Sequence, residues 1–160
     1  MSNSPIQALD DIDRRLLAAV QENGRLTATE LAERVGLTVS PCLRRLRLLE
    51  EGGVIRGYTA LLDQKKVGLP VSVFVSIKLE RQSEEAMRAF EDSIRSWPEV
   101  LECYLMTGPR DYLLRVVARD LADYEQFVKG RLTRIAGIAN IESSFALGQV
   151  KHTGALPLGR

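Results

Sequence analysis

The stretch LAERVGLTVSPCLRRLRLLE, Leu31–Glu50, holds four arginines and no acid between Arg34 and Leu49. The 160-residue chain has a formal net charge of only +1. Bulk electrostatics therefore makes no case for a polyanionic partner, and any such case rests on local placement. The second half of the stretch reads as a helix. Thr38 or Ser40 can cap it, and Pro41 is tolerated in its first turn. Cys42, Leu46 and Leu49 fall on one stripe and should face a core. Ser40, Arg44 and Arg47 fall on another, with Arg45 flanking it. Gly52-Gly53 ends the helix.

Upstream, Thr27-Ala28-Thr29-Glu30 is a capping box, flanked by Leu26 and Leu31 as a hydrophobic staple. Gly36 can stop that helix in a left-handed conformation, and Leu37 can fold back on it. Before it, Leu9, Ile12, Leu16, Leu17 and Val20 recur at helical spacing. Asp10 caps this first helix, Asp13 sits in its first turn, and Asn23-Gly24 closes it. Two short helices joined by a Gly-containing turn, the second with an outward basic stripe, make a helix-turn-helix. The second helix of such a motif can enter the major groove of double-stranded DNA, where the arginine fork matches guanine edges and phosphates. The candidate contacts are Thr38, Ser40, Arg44, Arg45 and Arg47, with Arg34 in reach of phosphate. The alternative is a solvated helix face, its arginines paired with Glu50 and Glu51.

Val54–Leu62 alternates enough to read as a strand leaving the helical domain, and Asp63–Leu69 is polar and makes a boundary. Then the period changes to two. Val71, Val73, Val75, Ile77 and Leu79 alternate with Ser72, Phe74, Ser76, Lys78 and Glu80 as a half-buried strand. Ser83 caps a helix with Met87, Phe90, Ile94 and Trp97 on one face, stopped by Pro98. Val100–Thr107 and Tyr112–Ala118 read as a hairpin around Gly108-Pro109-Arg110-Asp111. Asp120 caps a second helix with Leu121, Tyr124, Val128, Leu132 and Ile135 inward, ended by Gly137. Asn140–Val150 is a fourth strand. The order is βαββαβ, a ferredoxin-like arrangement. The predicted fold is thus α+β: a winged-helix-like domain over 1–55, a strand and linker over 56–69, and a ferredoxin-like domain over 70–160. Phe74 with Tyr104 and Met106 (or Leu105) leaves apolar groups on the sheet face away from the helices, which a second subunit would cover.

The composition, 45% hydrophobic and 27% charged, is that of an ordinary globular protein. The apolar runs are far short of the roughly 20 residues that span a bilayer, and the N-terminus has no signal-peptide core. Cys42 and Cys103 form no paired or metal-binding spacing. These features predict a cytoplasmic chain with reduced thiols, no membrane partner, no metal and no cofactor. The only histidine is His152, in the tail, so no nucleophile–base–orienter set suggests itself, and the reading is not an enzyme.

A helix-turn-helix followed by βαββαβ resembles the Lrp/AsnC (feast/famine) transcription regulators. The residues that carry the resemblance are LDDIDRRLLAAVQENGRLTATELAERVGLTVSPCLRRLRLLEEGGVIRGYTALLD, then ECYLMTGPRDYLLRVV and the tail QVKHTGALPL. The match runs from about Leu9 to Leu158, and VSPCLRRLRLLE followed by GVIRGYTALLD is most like the leucine-responsive branch. Thr38-Val39 departs from the Ser-Pro often found there, which alters the capping detail. The resemblance implies homodimers that assemble further, commonly to octamers, on DNA near amino-acid-metabolism genes. It also implies an amino-acid effector, leucine or another apolar one, bound between C-terminal domains. An architectural DNA-wrapping protein with little sequence or effector dependence is the alternative. The family's effector loop falls on Thr107, Gly108, Arg110, Asp111 and Tyr112. Amides around Gly108 and Arg110 can take a carboxylate, Asp111 an ammonium, and Leu105 can face the effector side chain. The other reading has Gly108 and Asp111 serving the turn and Tyr112 filling the core.

Overall fold

The computed structural model of the chain describes residues 9–158. It divides into two compact units. One is Leu61–Val150; the other joins the described residues up to Ala60 with those from Lys151 onward.

In the first unit three helices follow their local signals. α1 (Asp11–Glu22) begins at a reciprocal capping box, Asp10 accepting from the Asp13 amide at 2.8 Å and Asp13 from the Asp10 amide at 3.2 Å. α2 (Ala28–Val35) begins at the Thr27/Glu30 box and ends at Gly36, whose φ of +73° is the left-handed turn expected there. α3 (Val39–Glu51) begins after Thr38, whose side chain makes no capping bond. A capping hydroxyl accepts from the N2 or N3 amide, and the N3 residue is Pro41, which has none. Leu16, Leu17, Leu31, Ala32, Val35, Cys42 and Leu49 are buried together.

The residues after Gly53 depart from the sequence reading. Val54–Leu62 forms no strand: the Ile55 amide closes a turn on the Leu49 carbonyl at 3.0 Å, and no ladder of backbone pairs follows. Ile55 packs on the helical core, and Tyr58 ties the segment down further. The Tyr58 ring lies against Gly24, and its hydroxyl donates to Glu50 on α3 at 2.9 Å. Burial, then the Glu50 carboxylate, pushes the Tyr58 phenol up to about 12.

The tail closes this unit from the other end of the sequence. The Gln21 amide pairs both ways with the Leu156 backbone, at 2.6 and 3.2 Å. Arg14 Nη1 donates to the Leu158 carbonyl at 2.8 Å, and the Leu158 side chain packs on the helical core. The tail, read from the sequence as the end of a domain over 70–160, packs in this structure with the helical unit.

The second unit is a four-stranded antiparallel sheet in the order β2-β3-β1-β4, with β1 (Val71–Leu79), β2 (Val100–Leu105), β3 (Tyr112–Ala118) and β4 (Ile138–Phe145). α4 (Glu84–Arg95) and α5 (Leu121–Gly130) cover one face. Val73, Val75, Ile77 and Leu79 point into that layer against Phe90, Ile94, Tyr124 and Phe127. The other face carries exposed Phe74 and Tyr104. The second and fourth strands stop earlier than their patterns suggested. The last helix breaks at Arg131, where φ and ψ leave the helical region, and resumes as a tight turn, Leu132–Arg134. Leu121, expected inward, is exposed at the start of α5.

Candidate nucleic-acid interface and effector loop

At 100° per residue, Cys42, Leu46 and Leu49 define the inner side of α3, and Ser40, Arg44 and Arg47 its outer side. The structure agrees: Cys42 and Leu49 are buried, Leu46 is half-buried, and Ser40, Arg44 and Arg47 are exposed, as is Thr38 at the N-terminus. These four present hydroxyls and guanidinium groups from one helix to solvent. Arg45 is different. Its Nη1 donates to Asp10 Oδ2 at 2.7 Å and Asp13 Oδ1 at 2.8 Å, and its side chain is 28% exposed. It flanks the outward stripe, as the sequence reading had it, but its guanidinium turns to α1. Its position explains why: Arg45 lies three residues after Cys42 and four before Leu49, closer to the core side of the helix. Asp10 is held below the ordinary carboxylate value, first by the Asp13 amide and, against desolvation, by Arg45. Arg34, on α2, pairs with Glu22 at 2.6 Å on the surface. Exposed pairs of this kind are weak, so it remains able to swing to another anion.

The second candidate site is the loop from Leu105 to Tyr112. The Met106 amide donates to the Asp111 carbonyl at 2.8 Å and the Asp111 amide to the Ile77 carbonyl at 2.8 Å, which closes the loop on β1. Gly108 has φ +110°, a conformation that side chains rarely adopt. Leu105, Thr107 and Gly108 are exposed.

Asp111 and Tyr112 turn inward. Asp111 is 5% exposed. Its Oδ2 accepts from the Leu79 amide at 2.7 Å, and its Oδ1 from Gln82 Nε2 at 2.5 Å and Lys78 Nζ at 3.3 Å. Burial alone would raise its pKa; the Leu79 amide, Lys78 and Gln82 together hold it below the ordinary value. Three donors already share its two oxygens and the side chain is buried, so Asp111 faces partners within the chain in this conformation. Tyr112 stacks on Phe90, centroids 4.5 Å apart, and donates to Glu91 at 2.9 Å. Burial and that carboxylate push its phenol well up. Arg110 bonds Glu142 on β4 at 2.5 Å. Lys78, Gln82 and Glu142 hold this loop, and sequence reasoning missed them. They come from other strands and turns, and only the alternation of Lys78 with buried Ile77 and Leu79 put it on the matching sheet face.

Among the described residues, no helix is long and apolar enough to cross a membrane. Residues 9–56 match the winged helix-turn-helix DNA-binding description, and residues 72–156 match the Lrp/AsnC ligand binding domain. The chain belongs to the Lrp/AsnC family of DNA-binding transcription regulators. The Bkd operon transcriptional regulator of Pseudomonas aeruginosa is 47% identical over 94% of this chain and 98% of its own length. The leucine-responsive regulatory protein of Rhizobium meliloti is 43% identical over 89% of this chain and 92% of its own. A transcriptional regulator from Neisseria meningitidis, solved in complex with L-Met, superposes with a TM-score of 0.89. It is 45% identical over 94% of this chain and 97% of that one.

Proposed function

We propose that this regulator reads double-stranded DNA through Thr38, Ser40, Arg44 and Arg47, with Arg34 on phosphate. An apolar amino acid bound at its C-terminal domains tunes its DNA affinity or assembly. The observation that carries the reading is the two-sided helix α3, buried along Cys42–Leu49 and arginine-rich along its outer stripe. The effector part is supported by the ligand-binding match and by the L-Met complex of the Neisseria regulator. Leu105, Thr107, the Gly108 backbone and Arg110 are the groups placed to touch an effector; Asp111 and Tyr112 shape the loop from inside. The effector lies between copies, a reading supported by the exposure of Leu105, Thr107 and Gly108 in the single chain. Homodimers formed over the Phe74 and Tyr104 face, assembled further to octamers, would supply the second wall. The target genes are those of amino-acid metabolism, a reading supported by the name of the leucine-responsive relative.

The test titrates the purified protein against DNA from directly upstream of its own gene and against scrambled DNA. Two salt concentrations are used, with and without the twenty amino acids. The expected result is a preference for the native fragment that an apolar amino acid shifts. Salt-sensitive binding indifferent to sequence and to amino acids would replace this reading with that of an architectural DNA-wrapping protein.

A further inference from the structure

We infer that Arg45 is a positioning residue that sets the recognition helix against α1, and that it does not touch DNA. This deepens the reading of α3 as the helix that meets DNA, and rests on it.

Arg45 is anchored through one guanidinium nitrogen. Asp10 and Asp13 each give one oxygen to the other's backbone amide in the cap of α1. The oxygen left on each accepts from Arg45 Nη1. Four carboxylate oxygens thus accept four hydrogen bonds from three nitrogens, and one side chain from α3 holds both ends of the α1 cap. The Asp13 side chain is 12% exposed and the Asp10 side chain 50%, so the pair is anchored on its Asp13 side. The two carboxylates offset the Arg45 charge, which leaves it a weaker attractor of phosphate than the exposed Arg44 and Arg47.

Besides this ion pair, Leu16 and Leu17 of α1 share one apolar core with Cys42 and Leu49 of α3. Apolar packing has little directional preference. The two bonds from Arg45 Nη1 supply direction: they fix the rotation of α3 about its axis, and with it the bearing of Arg44 and Arg47. Base reading is sensitive to that bearing, because bidentate contacts to base edges need their planes aligned. Phosphate contacts tolerate more.

The distinction can be measured with full-length protein, using the upstream fragment and scrambled DNA across a salt series, with the folded fraction checked by circular dichroism. Arg45→Met keeps the stem and removes the guanidinium. Arg45→Lys keeps the charge but on a shorter side chain without the planar Nη1 that bonds both carboxylates. The expected result is that both variants keep the wild-type slope of log affinity against log salt while losing roughly 5- to 20-fold of the preference for the native fragment. That factor is about the size of one misaligned base contact. Asp13→Asn loses the same preference, and combining it with Arg45→Met adds little, as coupled residues do. Simple destabilisation would lower binding to both DNAs together and leave the ratio intact.

The inference is overturned if Arg45→Met flattens the salt slope by about 0.9, the mark of one lost phosphate contact, while Arg45→Lys behaves as wild type. An unchanged preference in both variants overturns it as well. Wild-type protein with no salt-dependent affinity for either DNA would instead remove the DNA-reading assignment on which the inference stands.

Discussion

At the scale of single residues, Asp111 shows how a family motif and a local environment can point different ways. The motif suggested a carboxylate facing an effector; the fold surrounds that carboxylate with the Leu79 amide, Gln82 and Lys78. Its pKa lies below the ordinary 3.8 in the folded state. A depressed carboxylate stabilises the fold above its unfolded value, and that contribution is lost as pH falls through the folded one. Between about pH 6 and about pH 3, the thermal midpoint of the sheet unit should therefore fall more in wild type than in Asp111→Asn. Equal falls would show that the Asp111 charge adds nothing to the fold. The sequence placed Asp111 beside an inward Tyr112, which hinted at burial. It held no trace of Lys78 and Gln82 as partners, because nothing local links residues more than 25 positions apart. Arg45 was more legible. The spacing from Cys42 and Leu49 puts it on the inner flank, but charge pulled the reading outward.

Secondary-structure elements were most legible where their signals are local. Asp10, Thr27, Ser83 and Asp120 cap helices as their spacing requires, each accepting the amide three residues on. Thr38 makes no side-chain cap, and Pro41 removes the donor at the third helical position. The predicted strand over Val54–Leu62 failed for a non-local reason: alternation makes a strand possible, but only a paired backbone makes one. Gly36 gives a clean test at this scale. Its φ is +73°, and no atom lies within 4 Å of where a Cβ would sit. Gly36→Ala should therefore destabilise the helical unit by backbone strain alone, about 1 kcal/mol. The urea midpoint should fall with an unchanged slope, since no packing is disturbed.

For the whole molecule, the order βαββαβ was enough to name the sheet, and β2-β3-β1-β4 follows from it. The division of the chain was not legible in full. Residues from Lys151 onward belong to the helical unit, through contacts spanning 135 and 144 positions. Leu158→Ala should lower the stability of the helical unit by about 1 kcal/mol, as expected for a half-buried leucine. Amide exchange in α1 should quicken while exchange in the sheet is unchanged. Unaltered exchange in α1 would mean the tail rests on the helix without holding it.

That discontinuous unit imposes an order of events during synthesis. The three helices leave the ribosome first, yet the residues that seal α1 follow only after the intervening Leu61–Val150. At about 5–20 residues per second, this interval of about 90 residues lasts on the order of 5–20 s. Through that time the nascent helical unit stands without its closing Leu158, and the sheet has emerged before the unit that precedes it in the chain is complete.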